Sequence, residues 1–384
     1  MSTRLGLGDN GFFWISDTRI NVPVQTDDYQ SLFLDDLPLL DVRAPIEFNK
    51  GAFPHASNLP ILDDTQRHEI GSRYADQGQD AAIELGLKLA TDEVRQQRLD
   101  AWRSFIQHNP HAHLYCFRGG LRSRTTQQWL AEAGIDIPLV SGGYKAMRSY
   151  LLEQFETLSA NAPMLLLAGA TGSGKTLLIQ QWQQSLDLEG KALHRGSAFG
   201  GTFVPQPSQI DWENTIAIDW IKRAHVSDSP VLVEAESQLI GRIFLPKFLQ
   251  DAMANAPVVV LEMPLKDRVE LLRHDYVSHA LTHFKQSTPD EPWLALEAHV
   301  SDNLHRIRKR LGGERCDNLV STVAESVRKL KEQGDWSGFD HIIETLLIEY
   351  YDKLYAHKMQ DREKRAVFRG DRQAVLQWLA EHQQ

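Results

Sequence analysis

Apolar positions divide the chain into alternating strand-like and helical stretches. Residues 37–42 (LPLLDV) and 113–116 (HLYC) are apolar runs of strand length. Between them, residues 92–107 carry apolar side chains at helical spacing. A further helix is expected over 123–133, stopped by Gly134. The stretch 140–163 begins with Gly142-Gly143 and then reads as a helix over 145–158. Strands recur at 164–167, 231–233 and 258–261 with helices between them, and such alternation implies parallel sheets. Beyond about residue 265 the pattern is helical throughout, with one polar break at Gly312-Gly313. The expectation is an α/β chain in four parts: a parallel-sheet domain over 1–140, a helical connector over 141–163, a second α/β domain over 164–300 and a helical region over 301–384.

Composition narrows the class. A chain of 384 residues, 42% hydrophobic and 24% charged, suits two globular domains with full cores. No window approaches the roughly 18 apolar residues needed to span a bilayer. The opening MSTRLGLGDN lacks the basic-then-apolar pattern of a secretory leader, so the expected address is the cytoplasm, with no membrane partner. Two cysteines, Cys116 and Cys316, exclude a disulfide framework and a multi-cysteine zinc site. The formal net charge of −10 weighs against a nucleic-acid partner unless local basic patches override it.

The strongest motif is Gly169-Ala170-Thr171-Gly172-Ser173-Gly174-Lys175-Thr176, a gapless G-x-x-x-x-G-K-[ST]. An apolar strand (MLLLA) precedes it and a helix (LLIQQWQQSL) is expected after it. Gly169, Gly172, Ser173 and Gly174 let backbone N–H groups turn towards phosphate oxygens, Lys175 reaches a terminal phosphate, and the Thr176 hydroxyl suits Mg²⁺. A metal-supporting acid belongs on a nearby strand; Glu234 stands at the end of one where Asp is usual, with Glu236 as the alternative. The loop His194-Arg195-Gly196-Ser197-Ala198-Phe199-Gly200-Gly201 is read as following a short strand, with Arg195 and Ser197 facing the ligand crevice. Arg268 and Arg273 are phosphate-clamp candidates or a solvated face. A P-loop alone does not name a substrate, and the pattern assigns no dedicated metal site and no prosthetic group.

A second motif, Cys116-Phe117-Arg118-Gly119-Gly120-Leu121-Arg122-Ser123, has C-x5-R spacing between a strand and a helix. Backbone N–H groups, a helix N-terminus and the cations Arg118 and Arg122 favour a thiolate, persulfide or perselenide anion at Cys116. Protein tyrosine phosphatases use a similar loop, but no His directly precedes Cys116 and no aspartate acid is identifiable. Cys316, in GGERCDN, has nothing nearby to activate it. Leu40-Asp41-Val42-Arg43 followed by KGAFPHASNLP resembles the strand and turn that precede the cysteine loop of rhodanese domains, with Asp41 and Arg43 read as structural.

A rhodanese-like domain followed by a P-loop NTPase-like domain, together with HRGSAFGG, QPSQIDWEN and VEAESQLIGR, resembles the tRNA 2-selenouridine synthase family over nearly the whole chain. The resemblance implies replacement of the sulfur of wobble 2-thiouridine in tRNA by selenium from selenophosphate, by way of S-geranylation with geranyl diphosphate. It makes tRNA and a selenophosphate-supplying enzyme the expected partners. Cys116 would serve selenium delivery, and the loop from Gly169 to Thr176 would hold the diphosphate. RNA contact is expected from Arg306, Arg308, Lys309, Arg310 and Arg315, and from a tail holding Tyr350, Tyr351, Lys353, Tyr355, Lys358, Arg362, Lys364, Arg365 and Arg369. The alternatives are a P-loop kinase or NTPase with a rhodanese sulfur-carrier module, and a non-enzymatic binding module.

Overall fold

The computed structural model describes residues 25–197 and 199–382. The opening segment read as lacking a leader, and Ala198 of the glycine-rich loop, lie outside the described residues. Among those described, 25–28, 38–43 and 57–144 form one compact unit, and 29–37, 44–56 and 145–382 form another.

The first unit is built on a sheet of five strands: β1 (Gln25–Thr26), β2 (Leu39–Asp41), β3 (Ala56–Asn58), β4 (His113–Tyr115) and β5 (Leu139–Val140). Their order is β1-β5-β4-β2-β3, with β1, β5, β4 and β2 paired in parallel. Parallel strands covered on both faces read as unbroken apolar runs, which is why LPLLDV and HLYC stand out. Leu40, Val42, Leu114 and Leu130 form the core with Trp102, whose Nε1 donates to the Leu59 carbonyl at 2.9 Å. The expected helices are present as Asp92–His108 and Leu121–Glu132. A long helix, Asp64–Leu89, escaped the periodicity reading. It buries only Ala82 and kinks at Gly78, so it carries no apolar stripe to detect.

Asp41 and Arg43 are structural, as read. Both are fully buried; the Arg43 Nε donates to Asp41 Oδ2 at 2.8 Å, and its guanidinium lies 3.8 Å from the centre of the Tyr144 ring.

The second unit holds a five-stranded parallel sheet: β6 (Met164–Gly169), β7 (Ser185–Leu186), β8 (Val231–Glu234), β11 (Val258–Leu261) and β12 (Ala366–Gly370), with a small hairpin, β9 (Leu239–Ile240) and β10 (Ile243–Phe244), between β8 and β11 in sequence. The sheet order is β12-β11-β6-β8-β7. The central β6 therefore delivers the P-loop between its neighbours, and Leu167 lies opposite Glu234 in register. The helices between Leu265 and Tyr351 pack around Leu304, Val323 and Leu347. Cys316 is fully buried there, its Sγ 3.4 Å from the Leu304 carbonyl, and packs as a small apolar residue. Gly312, at φ 97°, makes the expected break between Pro292–Leu311 and Gly313–Gln333.

Segments 29–37 and 44–56 belong to this unit. Phe33 and Phe53 have ring centres 5.4 Å apart. The backbone of Ala52 donates to Asp211 at 2.7 Å and accepts from Asn214 at 2.7 Å. Both partners lie on the helix Gln209–Val226 that carries the QIDWEN run.

Three expectations are corrected. The region beyond residue 265 is not wholly helical: Ala366–Gly370 (AVFRG) is a parallel edge strand beside β11. Its partner is over a hundred residues away, and five residues are too few for period to separate strand from helix. The helix after the P-loop is only Lys175–Gln181, because Trp182 turns extended and Ser185–Leu186 joins the sheet. The loop from His194 follows the short helix Leu188–Lys191, not a strand; its Asp187 cap accepts from Gly190.

Replacing Asp41 with Ala leaves the buried Arg43 guanidinium without its carboxylate. The loss expected is about 3–5 kcal/mol, read from the urea unfolding midpoint, with Asp41→Asn less damaging.

Candidate active site

The cysteine loop is shaped by close backbone contact. Cys116 directly follows β4 and is buried, with its Sγ 3.2 Å from the Ser123 hydroxyl. Gly119 turns the chain at φ 65°, and Gly120 caps the helix Leu121–Glu132. Tyr144 donates its backbone N–H to the Cys116 carbonyl at 2.9 Å. A Cβ on Gly143 would sit 2.3 Å from that same carbonyl, so no other residue fits without moving the loop. Arg118 lies beside the Phe117 ring and Arg122 is half-buried in the first helical turn.

The second unit contains a cavity of about 830 Å³ around the P-loop. Gly172, at φ 80°, passes so close to Leu272 that a Cβ would meet its Cγ at 2.9 Å. The Lys175 Nζ donates to the Gly169 carbonyl at 3.0 Å. The Ser173 hydroxyl is buried with no hydrogen-bond partner among the described residues. The Thr176 hydroxyl donates to Glu189 at 3.4 Å. Glu234 lies at the end of β8, adjacent to β6, and is fully buried. Its Oε2 accepts from the Glu189 N–H at 3.1 Å, while its Oε1 has no partner among the described residues.

Those carboxylates are hard to ionise together. Burial, then Glu236 and Glu234, pushes the Glu189 carboxyl up to about 10. Burial, then Asp187 and Glu236, pushes Glu234 up to about 8, against the pull of Lys175. A cation arriving at the cavity would release these protons, since opposite charge favours the ionised form.

The profile of the tRNA 2-selenouridine synthase AAA domain matches residues 162–384. The tRNA 2-selenouridine synthase of Marinobacter nauticus is 42% identical over 92% of this chain and 96% of its own length. That of Hahella chejuensis is 46% identical over 92% and 94%, and that of Shewanella frigidimarina 44% over 94% and 98%. The chain belongs to the tRNA 2-selenouridine synthase family.

Within this family member, the residues singled out from the sequence fall into separate groups. Gly169, Gly172, Ser173, Gly174, Lys175 and Thr176 line the cavity together with Arg195 and Ser197. Arg195 is ion-paired to Asp275 at 2.6 Å, and Ser197 meets the Tyr276 hydroxyl at 3.0 Å. Cys116, Arg118 and Arg122 belong to the other unit. Arg268 is buried, donating to the Thr171 carbonyl at 2.9 Å and paired with Asp352; it braces the P-loop from behind. Arg273 is paired with Asp340 at 3.0 Å.

The cations expected on RNA divide further. Arg308 pairs with Asp317, Arg315 with Glu349 at 3.3 Å, Lys353 with Glu349 at 2.7 Å, and Arg369 with Glu262 at 2.9 Å. Tyr350 and Tyr351 are core residues that also reach the cavity wall. Arg310, Lys358 and Arg362 instead line the P-loop cavity. Sequence reading missed Glu189 and did not connect these cations to the P-loop. A signal existed: Tyr351, Leu354, Tyr355, Lys358 and Arg362 recur at helical spacing and all face the cavity.

Among the described residues, no three His, Cys, Asp or Glu side chains form a metal-ligand set and no helix is long and apolar enough to cross a membrane.

The raised carboxyls set a pH dependence. The folded chain keeps the Glu234 proton up to about 8, whereas an ordinary carboxyl of 4.5 releases it earlier. Stability therefore falls as pH rises through that window, because the unfolded state binds fewer protons. Glu234→Gln should flatten part of the fall in melting temperature between about pH 5 and about pH 9; an unchanged profile would contradict the buried-acid assignment.

Proposed function

We propose that this chain replaces the sulfur of 2-thiouridine at the tRNA wobble position with selenium from selenophosphate, by way of an S-geranyl intermediate made from geranyl diphosphate. Membership of the family supports the overall conversion. The observation that carries the geranyl step is the composition of one cavity: the P-loop and Lys175 share it with Leu177, Leu193 and Leu354, leucines left 41%, 38% and 40% exposed. Exposed leucines beside a phosphate cradle suit a ligand with an anionic head and a hydrocarbon tail. Each buried CH₂ of that tail is worth about 0.8 kcal/mol.

In this reading the thiouridine sulfur attacks the first carbon of the geranyl chain as the carbon–oxygen bond to diphosphate breaks. Negative charge grows on the leaving diphosphate, where the Lys175 ammonium and the N–H groups of the Gly169–Thr176 loop are aimed. Mg²⁺ suits the same place. Thr176 offers its hydroxyl, and the unpartnered Oε1 of Glu234 is a buried acceptor. A magnesium ion that shares phosphate oxygens needs only one or two protein ligands. Cys116, beside Arg118 and Arg122, then orients the selenium donor: the selenide-level selenium of selenophosphate attacks C2 of the S-geranylated base, the C2–S bond breaks with geranylthiol leaving, and water takes the phosphoryl group as the P–Se bond breaks. A tRNA substrate and a selenophosphate-supplying enzyme as partners fit a cytoplasmic address.

Nucleoside mass spectrometry on thiolated tRNA incubated with geranyl diphosphate and selenophosphate tests the reading. Cys116→Ser should retain S-geranylation and lose selenium incorporation. Lys175→Ala should lose both. Full selenium incorporation by Cys116→Ser would remove Cys116 from the reaction.

A further inference from the structure

The cavity that contains the P-loop has a second charged wall. Arg310 comes from the last turn of Pro292–Leu311, and Lys358 and Arg362 come from successive turns of Asp352–Arg362. Three other cations of these helices and their neighbour, Arg308, Arg315 and Lys353, are answered by a carboxylate. Among the described residues, Arg310 and Lys358 have no hydrogen bond or ion pair, and Arg362 donates to a backbone carbonyl, that of Glu236, at 3.1 Å.

We infer that Arg310, Lys358 and Arg362 form a second anion subsite, distinct from the P-loop, that takes a phosphate group. Gathering three cations with Lys175 around one cavity is unfavourable in the free protein. Burial, followed by Arg362, Lys175 and Arg310, holds the Lys358 ammonium below the usual lysine range, with Glu236 pulling the other way. An anion bound among them removes that repulsion. A diphosphate on the P-loop engages Lys175 and leaves this wall available. Tyr355, half-buried, lines the same cavity. A phosphate diester of RNA and a free phosphate monoester present the same oxygens to guanidinium and ammonium groups.

The subsite deepens the function proposed above and rests on it, but its test needs no turnover. Full-length protein is saturated with inorganic diphosphate to fill the P-loop and then titrated calorimetrically with inorganic phosphate. A parallel titration uses an anticodon stem-loop RNA over a range of salt. Arg310→Gln/Lys358→Gln should weaken phosphate binding at least tenfold, and Arg310→Lys/Lys358→Arg should retain it. Lys175→Ala should abolish geranylation yet keep this phosphate site, which separates failure of the subsite from failure of the proposed reaction. If the RNA phosphate is the occupant, the slope of log Kd against log salt also falls, by about 0.7 for each phosphate no longer neutralised. Weakened phosphate binding with an unchanged RNA slope identifies a free phosphate compound as the occupant. Phosphate affinity and RNA slope both unchanged in the double Gln variant would overturn the inference. Should that variant melt early, Lys358→Gln alone carries the same readouts.

Discussion

Lys175 stands within electrostatic reach of two opposed sets of side chains, and the organisation of the second unit follows from that. On one side Glu189 and Glu234 feel its pull; on the other Lys358 feels its repulsion. Buried carboxylates crowd one another towards the protonated form, and the cations of the facing wall repel one another while Glu236 attracts Lys358. A phosphate ligand with an accompanying cation would satisfy both sets at once. The free protein is therefore charged in a pattern complementary to such a ligand.

The sheet beneath sets that arrangement. The central β6 is flanked by β8 and β11, so the P-loop emerges where Glu234 also ends its strand. Arg268, fixed by Asp352 and the Thr171 carbonyl, ties the loop to the helical region. Leu272 closes against Gly172 so tightly that only glycine fits. The cysteine loop of the first unit uses the same device. There Gly143 presses its backbone against the Cys116 carbonyl and Tyr144 donates to it, so a loop of a few residues keeps its shape. In both places glycine is required because the backbone passes hard against a neighbouring group.

Local chemistry was legible from residues alone. G-x-x-x-x-G-K-[ST] and C-x5-R are contiguous, and their function depends on neighbours in the chain. The strands LPLLDV, HLYC and MLLLA were visible because parallel strands buried on both faces leave unbroken apolar runs. Asp41 and Arg43, two residues apart, were likewise read correctly as structural. The long helix Asp64–Leu89 was invisible because it buries almost nothing, and Ala366–Gly370 because its strand character comes from pairing with β11.

What the sequence determined by itself was therefore the identity of each candidate group and the short-range geometry around it: the thiol, the ammonium, the glycine turns. What only the tertiary structure decided was which charges meet. Glu189, Glu234, Arg310 and Lys358 lie far apart along the chain, and no periodicity links them. Whether a given arginine is neutralised by a carboxylate, as Arg308 is, or left facing a cavity, as Arg310 is, depends on the crossing of helices in space. Coulomb energy depends on separation through space, and separation along the chain does not reveal it.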